Sequence, residues 1–163
     1  MKEYSRKDIE GSWRLLSWEI RSNGGRSVTA PFGDCPEGLL VYTREGWMSA
    51  TVCRGNRAPL PADSSPRKVD EHLLAEAYRS YFHYAGPYRV EADTVAHTVR
   101  YSLNPNFVGT EQFRRMRIDG PLLTLTGIDR AGNAERHHEL VWQRCGDERH
   151  RGSEDEYPIE QAR

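Results

Sequence analysis

Three side chains carry the most versatile chemistry in the chain: His97, Arg114 and Tyr42. An unperturbed imidazole titrates near neutral pH, so His97 can act as an acid or a base. The planar guanidinium of Arg114 can hold a carboxylate or polarise a carbonyl, and Tyr42 can offer a phenol to a ligand oxygen. Each residue also has a structural alternative. These are a histidine bonded across a sheet, an arginine paired with an acid at a rim, and a tyrosine bonded to backbone.

The strand pattern around His97 predicts which side chains accompany it. In TVAHTVRYSL, residues 94–103, one set of alternating positions is apolar apart from the histidine. Successive side chains of a strand point to opposite faces, so this set shares a face. We expect it to line an interior, and it comprises Val95, His97, Val99, Tyr101 and Leu103.

A second strand, residues 110–118, places Arg114 on the same face as Gln112. We expect both at the mouth of the interior, with Met116 and Ile118 deeper. Gln112 can then donate to the same ligand oxygen as Arg114. The opposite face carries Glu111, which is either a base for an adjacent site or an outward partner in a salt bridge.

A predicted hairpin and the last strand supply further candidate lining residues. The run GLLVYT–REG–WMSATVC, residues 38–53, predicts a hairpin around Gly46. The last strand, residues 134–144, ends in HELVWQR. We expect contacts with a ligand from Gln112, Tyr101, Leu40, Met48, Ala50, Val99, Met116, His138 and Trp142.

These strands follow one another through short turns, which is typical of an antiparallel meander. We count eight or nine strands and one helix, predicted over residues 69–85 with Ser65 as its cap, Pro66 in its first turn and Gly86 as its stop. Closure into a barrel removes the exposed edges of such a sheet. The predicted fold is therefore all-β with one helix, an antiparallel up-and-down β-barrel.

Length and composition restrict the function classes. A chain of 163 residues fits one domain, expected at residues 1–145, with a charged and disordered tail at 146–163. The net charge of −1 argues against a nucleic-acid partner, and no apolar run is long enough to cross a membrane. The charged N-terminus and three unpaired cysteines predict a cytoplasmic protein. We expect no metal and no cofactor, since no HExxH, P-loop or GxGxxG motif occurs.

Three stretches in the same order resemble the bacterial and fungal lipocalin-like domain family. They are GSWRLLSWE (11–19), GLLVYTREGWMSA (38–50) and SLNPNFVGTEQFRR (102–115), followed by HELVWQR (138–144). The resemblance covers nearly the whole chain except the tail. It implies an up-and-down barrel that binds small, largely apolar molecules. Barrels of broadly similar shape in natural-product pathways act as cofactor-free cyclases or isomerases, which is an analogy of fold alone.

Three hypotheses about function remain open at this point. The first is a cofactor-independent cyclase or isomerase acting on a hydrophobic, natural-product-type molecule, with His97, Arg114 and Tyr42 as its catalytic groups. The second is a non-catalytic binder or carrier of the same kind of molecule, and the third is a solid barrel used as an interaction module. The helix is either a fixed cap or a mobile lid. A homodimer is an alternative, because strand 11–20 is apolar on both faces.

Overall fold

Eight antiparallel strands close into a barrel in the computed structural model, which describes residues 2–62 and 68–146. The elements are α1 (Arg6–Ile9), β1 (Gly11–Ser22), β2 (Ser27–Thr29), β3 (Pro36–Tyr42), β4 (Trp47–Arg54), α2 (Glu71–Arg79), β5 (Tyr81–Glu91), β6 (Thr94–Thr98), β7 (Tyr101–Ser102), β8 (Glu111–Asp119), β9 (Leu122–Ala131) and β10 (Ala134–Arg144).

The order of strands around the barrel is β1-β3-β4-β5-β6-β8-β9-β10, and the ring closes where β10 pairs with β1. The two short strands lie outside this ring: β2 pairs with β1, and β7 pairs with β5. The prediction of an all-β barrel is confirmed.

The alternation of side chains along the strands sets which residues face inward. In β4 the buried positions are Met48, Ala50 and Val52, and their neighbours are more exposed. The same alternation in β3 buries Leu40 and Tyr42, which pair across the hairpin with Ala50 and Met48. Inward apolar groups and outward polar groups are what a closed sheet with one buried face requires.

One end of the barrel is closed by α1 and by the start of β1. Ser5 caps the helix, and Ile9 at its end is fully buried. The indole N–H of Trp13 donates to the carbonyl of Ile9 at 2.8 Å, which ties the helix to the first strand. Arg144 lies over the Trp13 ring at 4.0 Å and donates to the carbonyls of Asp8 and Glu10. A single arginine therefore links the last strand to the first helix.

Arg144→Met should lower the free energy of unfolding by about 2 kcal/mol, because it removes a cation–π contact and two charge-assisted hydrogen bonds while keeping an apolar stem. Urea unfolding followed by tryptophan fluorescence measures the loss. Arg117→Met is the matched control on an exposed site of β8 and should change stability by less than ~0.5 kcal/mol. Equal effects of the two substitutions would contradict this role for Arg144.

The second helix differs from the sequence-based prediction. It spans Glu71–Arg79 instead of residues 69–85, and residues 81–85 already belong to β5. Asp70 caps it by accepting from the backbone N–H of His72 at 2.8 Å, whereas Ser65 and Pro66 lie outside the described residues. No residue of α2 is buried, so the predicted apolar stripe does not pack into the barrel. Neither α1 nor α2 has the length and apolarity to cross a bilayer, within the part of the chain that the structure describes.

Gly86 also has a different role from the helix stop predicted for it. It lies inside β5, at the point where β5 changes partner from β6 to β7. A Cβ atom at this position would lie 1.9 Å from the carbonyl oxygen of Thr98. Glycine therefore allows two backbones to approach closely. The predicted tail, residues 146–163, lies outside the described residues from 147 onward.

Candidate functional site

A cavity of about 480 Å³ occupies the half of the barrel away from α1. Its walls come from every strand of the ring, and it reaches the surface beside the exposed residues Ile128 and Asp129. The lining residues are Trp18, Ile20, Pro31, Leu40, Ala50, Val52, Phe82, Tyr84, His97, Phe107, Gln112, Arg114, Leu125, Gly127, Ile128, Asp129, Arg136, His138, Leu140 and Trp142. The volume is in the range of pockets that hold one small molecule.

Most of the wall is apolar or aromatic. Phe82, Tyr84 and Phe107 form one aromatic group, with ring centroids of Phe82 and Phe107 5.3 Å apart. Trp142 is 2% exposed, and its indole N–H has no hydrogen-bond partner in the described ranges. Such a wall favours a ligand that is itself largely apolar.

His97 is held between two tyrosines at the inner side of the cavity. Its Nε2 lies 2.8 Å from the hydroxyl of Tyr42, and its Nδ1 lies 2.9 Å from the hydroxyl of Tyr84. The three side chains come from β3, β5 and β6, and all are buried. Tyr84 and His97 line the cavity, whereas Tyr42 lies behind His97. The histidine bonds across the sheet, as its structural alternative expected, whereas Tyr42 bonds the side chain of His97 and not the backbone.

Burial fixes the protonation state of this cluster. Desolvation lowers the pKa of His97 to about 3, and the positive charge of Arg114 acts in the same direction. Desolvation also raises the pKa of Tyr84, and raises that of Tyr42 well above its ordinary value. At neutral pH the imidazole and both phenols are therefore uncharged, and the ring has one donor and one acceptor nitrogen.

Arg114 supplies positive charge to the cavity wall. Its Nη2 donates to Oε1 of Gln112 at 3.3 Å and its Nη1 to the carbonyl of Phe113 at 2.9 Å. The guanidinium packs over Gly127, where a Cβ atom would come within 2.7 Å of Nη1. Among residues 2–62 and 68–146 no carboxylate forms an ion pair with Arg114, so the predicted alternative of an acid-paired rim arginine lacks its partner there.

A second polar group stands at the outer part of the cavity. Arg136 makes a two-pronged contact with Asp129, with distances of 2.7 and 2.6 Å. Nε2 of His138 lies 3.2 Å from Oδ2 of Asp129 without hydrogen-bond geometry, and Nδ1 accepts from the indole of Trp18 at 3.3 Å. Burial lowers the pKa of His138. The carboxylate of Asp129 is thus neutralised by Arg136.

The structure brings together most of the residues expected at the site. Those that line the cavity are Leu40, Ala50, His97, Gln112, Arg114, His138 and Trp142. Tyr42 reaches the site only through its hydrogen bond to His97. Glu111 faces outward and binds Arg89, so it is an outward salt-bridge partner and not a base at the site.

Four expected ligand contacts are corrected. Met48, Val99 and Met116 are buried in the packed core and do not line the cavity. Tyr101 is 65% exposed. The predicted alternation stops at residues 99 and 100, where the chain leaves β6 and re-forms as the short β7, and the inward face is lost.

The principal residue that sequence reasoning missed is Tyr84. The helix predicted over residues 69–85 would include it, but Tyr84 lies in β5 and pairs with Ala50. The signal that could have found it is the period-two pattern of Phe82, Tyr84, Gly86 and Tyr88. The exposed pair Asp129–Arg136 was missed because its role depends on the β9–β10 turn.

No group of three or more histidine, cysteine, aspartate or glutamate side chains is placed to share a metal ion, within residues 2–62 and 68–146. His137 forms an outward contact with Glu135, on the opposite side of the strand from His138. The polar side chains of the cavity are two imidazoles, a phenol, an amide, two guanidinium groups and one carboxylate, that of Asp129. Because Arg136 engages this carboxylate, the groups left to bind a ligand are mainly donors, which suit the oxygen atoms of an organic molecule.

Comparison with known families gives one match. A family model described as "Lipocalin-like domain" matches residues 10–145, a range that spans all ten strands. Among curated proteins, none matches the chain significantly.

Proposed function

The chain belongs to the lipocalin-like domain family, and on this premise we propose that its cavity orders one small, hydrophobic natural-product-type molecule for a cyclisation or isomerisation that needs no cofactor. The family supports binding of a small hydrophobic ligand in the barrel. The observation that carries the catalytic proposal is the convergence of Arg114, Tyr84 and His97 on one cavity whose wall is mostly apolar or aromatic.

Positioning is the main contribution that such a cavity can make. A flexible substrate folded into a reactive conformer inside a dry cavity avoids an entropic cost that can reach ~7–11 kcal/mol in favourable cases. Arg114 and the hydroxyl of Tyr84 can stabilise negative charge that develops on a carbonyl oxygen. His97 acts here as an uncharged ring that orients Tyr84, because a pKa of about 3 leaves it unprotonated at neutral pH.

A non-catalytic binder or carrier is the second candidate, and one observation favours it. Tyr42, Tyr84 and His97 form the inner cluster of the cavity. It holds no group that titrates near neutral pH, since the pKa of His97 is lowered and the pKa values of both tyrosines are raised. A carrier needs hydrogen bonds and apolar surface but no proton transfer. The two candidates share the cavity and differ only in turnover.

The experiment that separates them uses whatever molecule the barrel retains. We would extract the purified protein with organic solvent, identify the retained molecule and its candidate precursor by mass spectrometry, and incubate the precursor with the protein at a hundredfold excess. Product that exceeds the protein concentration supports the enzyme. Saturation at one equivalent of unchanged ligand contradicts catalysis and supports the carrier.

Ala50→Phe should block the cavity, because residue 50 lines the wall and pairs with Leu40 and Tyr84 on the neighbouring strands. We expect binding of 2-methylnaphthalene, measured by calorimetry, to weaken by about 10-fold or more, while the barrel stays folded because the ring enters empty space. Thr51→Phe places the same ring on the outer face of β4 and should leave binding unchanged. Normal binding by Ala50→Phe would show that the ligand site lies elsewhere.

A further inference from the structure

The charges of the cavity wall do not cancel. Arg114, Arg136 and Asp129 are the charged residues among the described lining residues. Asp129 is already engaged by two donors of Arg136 at 2.7 and 2.6 Å. Within residues 2–62 and 68–146, Arg114 donates only to neutral oxygens, those of Gln112 and Phe113. The wall therefore keeps one positive charge in excess, and that charge is on Arg114.

A charge next to an apolar cavity is costly unless it is solvated or paired. Arg114 is half-buried and projects from β8 over Gly127, so part of its guanidinium faces the space that a ligand would fill. A ligand that expelled water without supplying an acceptor would leave this cation poorly solvated. An anionic oxygen would instead satisfy it with a charge-assisted hydrogen bond.

The inner cluster offers a ligand a second hydrogen-bond donor besides Arg114, the hydroxyl of Tyr84. The uncharged His97 ring can accept only one hydrogen bond, so only one of the two phenols can donate to it. The hydroxyl of Tyr42 is enclosed, and within the described chain its sole partner is Nε2 of His97, at 2.8 Å. If Tyr42 donates to Nε2, the ring hydrogen is on Nδ1 and is donated to the oxygen of Tyr84.

This arrangement leaves the hydrogen of Tyr84 without a partner inside the cluster. Tyr84 lines the cavity, so its hydroxyl hydrogen can be used by a ligand there, whereas the opposite tautomer would strand the hydrogen of Tyr42 in the core. A buried hydroxyl hydrogen without a partner is unfavourable. The tautomer with the hydrogen on Nδ1 of His97 is therefore favoured, because it leaves the free hydroxyl hydrogen on Tyr84, at the cavity.

We infer that the ligand is an organic anion: an apolar molecule with a carboxylate or another ionised oxygen, which accepts hydrogen bonds from Arg114 and from the hydroxyl of Tyr84. This inference rests on the proposed use of the cavity for a small molecule and specifies the chemical class. The guanidinium of Arg114 and the hydroxyl of Tyr84 both act as donors here. A ligand that placed an amine or ammonium group beside them would therefore bind poorly.

The test compares three probes of the same ring system by calorimetry at pH 8: 2-naphthoate, 2-naphthamide and 2-methylnaphthalene. We expect 2-naphthoate to bind at least ~10-fold more tightly than 2-naphthamide, since a hydrogen bond to a charged group is stronger than one to a neutral group. Arg114→Gln should remove this preference. Arg117→Gln makes the same charge change on the outer face of β8 and should preserve it.

Tyr84→Phe should weaken 2-naphthoate and 2-naphthamide alike, by about 3- to 10-fold, because both offer an acceptor oxygen, and it should leave 2-methylnaphthalene unaffected. Arg114→Met is a second variant in case Arg114→Gln does not fold, as checked by circular dichroism. Equal affinity of the wild-type protein for 2-naphthoate and 2-naphthamide, or no binding of 2-naphthoate, overturns the inference. Absence of 2-methylnaphthalene binding instead contradicts the apolar ligand of the proposed function.

Discussion

Replacing His97 by glutamine should flatten the loss of stability that we expect of the wild-type protein as the pH falls below about 6.5. The ring is buried between two tyrosines, and desolvation lowers its pKa to about 3 from an ordinary value of 6.5. The unfolded chain can therefore take up a proton that the folded protein excludes. Glutamine keeps polar groups near the two phenols but does not titrate.

The sign of the effect follows from proton binding. Above pH 6.5 the ring is uncharged in both states, and the full contribution to stability is present. Between pH 6.5 and about 3 only the unfolded state is protonated at this site, so the free energy of unfolding falls by ~1.4 kcal/mol per pH unit. The complete loss is of the order of 4–5 kcal/mol, which is a large part of the stability of a domain this size.

Urea unfolding at steps between pH 7.5 and 4.5 measures this slope. Carboxylates with lowered pKa values, such as Asp8 and Asp93, lose their contribution mainly at lower pH and affect the variant equally. His138 has a lowered pKa too, so His138→Gln provides the comparison for a partly buried ring. If His97→Gln has the same pH slope as the wild-type protein, His97 takes up its proton as readily in the folded protein as in the unfolded chain. That result would contradict the lowered pKa.

This titration also bears on function. If the inner cluster stays uncharged between pH 6 and 8, the hydrogen bond from Tyr84 to a ligand is constant over that range. Binding of a neutral probe such as 2-naphthamide should then be independent of pH there. The chemistry of the site is that of fixed donors in an apolar wall, and such groups stabilise charge on a ligand without exchanging protons with it.

The closed sheet and the inward position of His97 could be predicted from alternation alone, because alternation along a strand is a local property. Alternation does not predict which inward side chains line the cavity and which fill the packed core. Met48, Val99 and Met116 have the same inward pattern as Ala50, yet they lie in the packed core and do not line the cavity. Which part of the interior stays open depends on the summed volumes of side chains from all eight strands, Trp13 among them.

The missed role of Tyr84 has a different physical origin. Residues 81–85 are compatible with the helical spacing that begins at Leu74 and also with the alternation that continues to Tyr88. The local sequence pattern does not decide between a helix and a strand for these residues. Strand pairing in the barrel favours the strand, because β4 needs a hydrogen-bonded neighbour and β5 supplies it from Tyr81 to Pro87. Tertiary pairing therefore overrides the helical spacing, and it moves Tyr84 from a helix surface into the site.

Gly86→Ala should be the most damaging small substitution in the barrel. A Cβ atom at this position would lie 1.9 Å from the carbonyl oxygen of Thr98 and 3.0 Å from the backbone nitrogen of Arg100. Both contacts are with backbone, so no side-chain rotation can relieve them. We expect the free energy of unfolding to fall by about 3 kcal/mol or more, measured by urea unfolding, because β5 and the β6–β7 connection must separate.

Gly120→Ala is the informative control, because Gly120 has a positive φ of 55° but open space around its missing Cβ. It should cost only ~1 kcal/mol, from backbone conformation alone. Gly86 lies two residues after Tyr84, and its neighbour Ala85 accepts from the backbone of Arg100 at 2.9 Å. Separation of these strands would shift Tyr84 relative to His97. Gly86→Ala should therefore also reduce the affinity for 2-naphthamide in protein that remains folded. An unchanged affinity would mean that the close approach of the Gly86 and Thr98 backbones does not position Tyr84.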